Sequence, residues 1–121
     1  MIRYRLDEEG SILVVAPEGP LAASDFEDLR AVVDPYVERT GALRGLLIEA
    51  EIFPGWDGFS GLTAHLRFVR NHHRSIRRVA VLSDSALLSR LSQVAGHFVA
   101  ARVKHFSEAE RTAAVAWLRS A

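Results

Sequence analysis

The chain opens with two short runs patterned as strands. Ile2 to Leu6 alternates apolar positions with arginine or tyrosine, and Ser11 to Ala16 is a β-branched apolar run. The polar, glycine-ended segment Asp7-Glu8-Glu9-Gly10 between them predicts a hairpin. After the breaker Glu18-Gly19-Pro20, Ser24 and Glu27 stand at capping-box spacing. Phe26, Leu29, Val32, Val33, Tyr36 and Val37 then recur at helical intervals as far as Gly41. Pro35 lies inside that helix and predicts a kink in its last turns or an early end, because it removes one backbone donor.

Leu43 to Ala50 has the pattern of a buried strand, and Glu51 to Gly61 that of a loop. Leu62 to His73 is predicted as a helix, with Phe59, Leu62, Leu66 and Val69 as its inward apolar stripe. Val79 to Leu82 is a short apolar strand. Ser83-Asp84 can cap the next helix, Ser85 to Ala95, and Ala101 to Phe106 is the last strand. Ser107 and Glu110 form a second capping box before a closing helix carrying Ala113, Val115, Trp117 and Leu118. The predicted order is β-β-α-β-α-β-α-β-α. Alternation after the hairpin requires crossovers and a mostly parallel sheet, so one α/β domain accounts for residues 1–121.

Composition narrows the chemistry. The 121 residues contain no cysteine, which excludes a disulfide framework, a thiolate nucleophile and any Cys-ligated metal. No run approaches the roughly 20 apolar residues of a membrane span, and the N-terminus lacks a targeting pattern, so a cytoplasmic location is expected. Net charge is formally zero, but it is unevenly spread. Residues 1–60 carry five basic and twelve acidic side chains, a formal −7; residues 61–121 carry ten and three, a formal +7. The stretch from His65 to Arg78 holds five arginines and three histidines with no carboxylate. Interleaving of strands would bring the two halves together, so mutual neutralisation is the expectation.

Three segments, with the order of elements, carry a resemblance over essentially the whole chain. They are Pro54-Gly55-Trp56-Asp57 after the third strand, Arg78-Val79-Ala80-Val81-Leu82-Ser83-Asp84 in the fourth, and Ala101-Arg102-Val103-Lys104-His105-Phe106 before the acidic, Trp-containing last helix. In these the chain resembles the SpoIIAA-like family, small proteins with the STAS-type fold of sulfate transporters and anti-sigma factor antagonists. The resemblance implies a non-enzymatic fold with lipid-carrier or membrane-associated roles. Anti-sigma antagonists are phosphorylated at a serine in a motif like Asp-Ser-Ser-Gly-Leu. Phe59-Ser60-Gly61-Leu62 stands at a similar place, which makes Ser60 the corresponding position. The chain departs from that motif in having Gly58 or Phe59 where the acidic residue would be, and in a longer preceding loop. A phosphate at Ser60 would meet backbone donors at a helix start; the plainer use of such a serine is as a cap.

Other constellations are weaker. Gly58-Phe59-Ser60-Gly61-Leu62 lacks the final glycine of a nucleophile elbow, so a small hydrolase using Asp57, Ser60 and a histidine is the least favoured reading. His65, His72 and His73 have no i, i+4 pair for a metal, and Gly55, Gly58 and Gly61 lack the context of a nucleotide loop; no cofactor is expected. Arg67, Arg70 and Arg74 form a stripe fit for phosphates of lipid. Few aromatic residues stand nearby for base stacking, which argues against nucleic acid. On a helical wheel Phe68 lies about 140° from the apolar stripe, so it is expected on the surface.

The loop of about eleven residues from Glu51 to Gly61 is longer than usual for a strand-to-helix connection and leaves from the carboxyl end of a parallel strand, where ligands gather. Phe53, Trp56, Phe59 and Phe68 are therefore the expected apolar anchors, with Arg67, Arg70 and Arg74 as charge partners. The occupant is expected to be a lipid-like ligand, a membrane surface touched peripherally, or a protein partner. The N-terminal edge strand and an exposed aromatic helix also offer surfaces for a homodimer.

Overall fold

A computed structural model describes all 121 residues. The elements are β1 (Ile2–Asp7), β2 (Ile12–Pro17), α1 (Ala23–Thr40), β3 (Leu43–Glu49), α2 (Gly58–His72), β4 (Ile76–Leu82), α3 (Ala86–Ala95), β5 (Arg102–Phe106) and α4 (Arg111–Arg119), the last preceded by a 3₁₀ turn at Glu108–Glu110. The predicted order is the observed one. Strands lie in the order β1-β2-β3-β4-β5, with β1 antiparallel to β2 and all other neighbours parallel. Because a right-handed crossover always moves to the next strand in the same direction, α1, α2 and α3 share one face, and α4 returns to cover the other.

Alternation along the strands divides the core accordingly. Leu13 and Val15 of β2 pack with Phe26, Leu29, Val33 and Tyr36 of α1. Their neighbours Ile12 and Val14 turn to the opposite face, where Leu47, Ala80, Phe106 and Leu118 are buried. Arg78 faces that side too; its guanidinium donates to the Trp117 carbonyl and the Ser120 hydroxyl, each at 2.6 Å, and covers the Trp117 ring.

Several local details differ from expectation. The start of α1 is fixed by buried Asp25 and not by Ser24. Asp25 accepts the Ala22 N–H (2.8 Å) and the Ile2 N–H (3.0 Å), and lies 3.3 Å from the terminal ammonium. One carboxylate thus ties helix, sheet edge and chain start together. Pro35 neither ends α1 nor stops it short of Thr40; the helix runs on, and Ala31, whose carbonyl loses its partner, is exposed to water. Ser85, not Ser83-Asp84, caps α3, accepting the Leu88 N–H at 3.3 Å. At the 3₁₀ turn the predicted box forms: the Ser107 N–H and hydroxyl donate to Glu110 and hold its carboxyl below the usual range.

The strands do not interleave, and this overturns the expected neutralisation. Two ion pairs join the halves, Asp7 with Arg119 and Glu49 with Arg111, and a hydrogen bond joins Asp34 to His72. Arg67, Arg70, Arg74, Arg77 and Arg90 are in none and are exposed.

Candidate functional site

The connection from β3 to α2 is shorter than predicted, residues 50–57, because Gly58 to Gly61 are already helical. Its course is set by backbone pairing with the segment before α1. The Leu21 N–H donates to the Gly55 carbonyl (2.9 Å), and the Asp57 N–H donates to the Leu21 carbonyl (2.8 Å). Gly61 then lies so close to Leu21 that a Cβ would overlap its carbonyl oxygen. That close approach fixes the rotation of α2.

The consequence is a helix turned away from its predicted phase. Gly61, Ala64, His65, Phe68 and His72 point toward α1 and the sheet, while Leu66 is 61% exposed and Phe59 82% exposed. Phe68, expected on the surface, stacks between Phe26 and His72. The histidines join elements. His72 sets Nδ1 against the Phe68 carbonyl (2.8 Å) and Nε2 against Asp34 (2.7 Å), clamping α2 to α1. His73 accepts the Ala100 N–H at 2.8 Å, tying the end of α2 to the segment before β5.

His65 lies flat on Phe26, and its Nδ1 accepts the Trp56 indole N–H at 3.1 Å. Burial pushes its pKa below the ordinary value of 6.5, which agrees with a ring that uses a lone pair as acceptor. In the unfolded chain the ring protonates more readily, so acid favours unfolding. Stability is expected to fall as pH drops below about 6.5. His65→Asn, which keeps an acceptor for Trp56 without a titrating ring, is expected to flatten that part of the curve; thermal unfolding of both proteins across this range checks it.

Between α2 and α3 an apolar cavity of about 300 Å³ opens over the sheet, its lining reaching Phe26 and Leu29 of α1. Leu46, Ile48, Val79, Val81 and Val103 form its floor, Val69 and Phe68 one wall, and Leu88, Leu91 and Ala95 the other. Phe53 and Pro54 of the 50–57 connection close the end at the carboxyl edge of the strands. The His73–Ala100 link bounds the opposite end. A second, polar recess lies at the carboxyl ends of β2 and β3; it holds the pairs Arg3–Glu18 and Arg111–Glu49, with Glu51 and Glu108 at its wall in no ion pair.

The predicted site residues therefore separate. Phe53 and Phe68 line the cavity; Trp56, 37% exposed, backs them by an edge contact with Phe53 at 5.0 Å and its bond to His65. Phe59 stands outside with Arg67, Arg70 and Arg74. Ser60 is exposed on the first turn of α2, and its hydroxyl bonds neither Asp57 nor a histidine, so the triad geometry of a hydrolase is not assembled. The sequence reading missed α3 as a wall. Its signal was present: Ala86 to Phe98 carries one charge, Arg90, and more apolar residues than one narrow face needs.

No helix is long and apolar enough to cross a membrane. No curated protein matches the sequence. Among solved structures the chain is similar to an uncharacterised protein of the DUF3478 family with a SpoIIAA-like fold from Shewanella loihica PV-4. The TM-score is 0.78 and the identity 20%, over 97% of this chain and 93% of that one, a likeness of fold. A model of the SpoIIAA-like family matches residues 12–119, from the start of β2 to the end of α4. With that match and that fold, the chain belongs to the SpoIIAA-like family.

Proposed function

We propose that the protein is a non-catalytic, cytoplasmic binding and regulatory module whose cavity takes the hydrocarbon part of a lipid-like ligand. The carrying observation is the apolar cavity between α2 and α3, floored by five aliphatic side chains of the sheet. Ligand pockets run to about 300–1,000 Å³, and this one sits at the lower end, a size suited to a single chain. Water in such a space has few polar partners, so its replacement by hydrocarbon is favourable. Family membership supports the broader reading, a regulatory module of the anti-sigma antagonist type that acts through a protein partner. Within that reading exposed Ser60 is the position for a phosphate switch.

Titration with a dansyl-labelled fatty acid tests the cavity. Saturable one-to-one binding with a blue-shifted emission is expected. Val79→Trp, which fills the floor, is expected to weaken it by about tenfold or more. Binding that does not saturate, or that Val79→Trp leaves unchanged, would assign the probe to the outer surface and reject the cavity as the site.

A further inference from the structure

The three helices on one side of the sheet carry opposite charges on their outer faces, and most of these charges find no partner within the molecule. On α1, Glu27, Ala31, Asp34 and Glu38 recur at steps of four, three and four, so they form one outward row, with Asp28 at its flank. All five are exposed, and Glu27, Asp28 and Glu38 enter no ion pair. Along α2 and just past its end, Arg67, Arg70 and Arg74 recur at steps of three and four, and α3 adds Arg90. These four are exposed and in no ion pair, and from Gly58 to Ser107 the only carboxylate is Asp84. The basic face is apolar as well. Leu87, Leu91 and Val94 form an exposed stripe on α3, and Phe98 follows it, 80% exposed. Soluble domains seldom leave so much apolar surface in one place without an occupant.

Charge decides which occupant fits. Two copies meeting through α2 and α3 alone would set the unpaired arginines of both together. Two copies related by a two-fold axis parallel to the helices instead put α1 of each over the α2–α3 groove of the other, acid against arginine in both contacts. Such an axis leaves every residue at its own height along the helices. Contacts within the chain fix those heights: Phe26 stacks on His65 and packs against Phe68, and Asp34 meets His72. Glu27 and Asp28 of one copy therefore come about level with Arg67 of the other, and Glu38, one turn beyond Asp34, about level with Arg74. Ala31, small and central in the acidic row, lets α1 lie close. Exposed ion pairs contribute little each, so they set the orientation, while cover of the apolar side chains supplies the affinity. A net charge of zero leaves the copies without overall repulsion.

We infer that the protein forms a closed, two-fold dimer in which the acidic outer row of α1 of each copy seats on the arginine-bearing outer face of α2 and α3 of the other. The contact is made by the outsides of the helices and does not depend on what the cavity holds.

Sedimentation equilibrium of the full chain tests it. A monomer–dimer equilibrium is expected at concentrations of about 100 µM or below, weakened by added salt. Glu27→Lys with Glu38→Lys, and separately Arg67→Glu with Arg74→Glu, are each expected to weaken the dimer about tenfold or more, since each change occurs twice per dimer and leaves like charges opposed. An equimolar mixture of the two variants is expected to restore the dimer, because one of its two contacts is then native and the other has its signs exchanged. Misfolded variants could not restore assembly in this way. Glu27→Gln with Glu38→Gln, milder changes at exposed positions, are expected to weaken the dimer about threefold and to reduce its salt dependence, which keeps the inference testable should a reversal unfold the chain. A parent that stays monomeric, a mass that climbs past the dimer, or charge variants of both kinds that associate as the parent does would overturn the inference. So would a mixture of folded variants no more associated than its components.

Discussion

Gly61→Ala is expected to destabilise the protein by about 3 kcal/mol or more, at the upper end of what one added methyl costs. The new Cβ would overlap the Leu21 carbonyl oxygen, which is main chain and already accepts the Asp57 N–H at 2.8 Å. Leu21 cannot retreat, because its own N–H donates to the Gly55 carbonyl and its side chain is buried in the core under α1. Relief has to come from a shift or rotation of α2, which would disturb the Phe26–His65 and Phe68–His72 stacks together. Urea unfolding measures the effect, as a fall in the midpoint. A loss below about 1 kcal/mol would mean that the helix is not seated where the Leu21 contact puts it. Fatty-acid probe binding should fall in the same variant, since α2 is one wall of the cavity.

Leu118→Ala is expected to cost about 2–5 kcal/mol. Leu118 is wholly buried on the face that α4 covers, and β3 makes room for it with Gly45, where a Cβ would come within 2.9 Å of the Leu118 side chain. Truncation leaves a void against a glycine, and nothing adjacent can fill it. The comparison that gives the number meaning is Leu66→Ala, the same chemical change on exposed α2, expected within about 0.5 kcal/mol of the parent. Similar losses from both would contradict the assignment of Leu66 to the surface.

These two leucines mark what the sequence could and could not show. Strand and helix order, the parallel sheet and the 3₁₀ box at Ser107 were legible because hydrophobic period and capping chemistry are local. The phase of α2 was not. Periodicity alone put Leu62, Leu66 and Val69 inward, since a helical wheel takes apolar residues to be buried. The helix is instead set by the Gly61–Leu21 approach and by an aromatic stack containing two histidines, contacts between segments far apart in sequence. Of the residues given to the core, Val69 lines the cavity while Phe59 and Leu66 stand exposed, and Phe68, given to the surface, went inside. For the site, the Phe53 to Trp56 segment was visible as an unusual aromatic loop. Its use as the end wall of a cavity was not, because the opposing wall, α3, comes from the other side of β4.

The consecutive strand order leaves β1 and β5 as the sheet's two edges. Arg5, which enters no ion pair, stands exposed on the first and Arg102 and Lys104 on the second. Any extension of the sheet by a second copy, edge to edge, would therefore set like charges beside one another, a common protection of open strands against aggregation. The molecule is thus guarded by cations at both margins, and assembly by strand exchange or fibre growth is disfavoured whichever edges meet. Copies that do associate are left with the helical faces, where the exposed leucines and phenylalanines are.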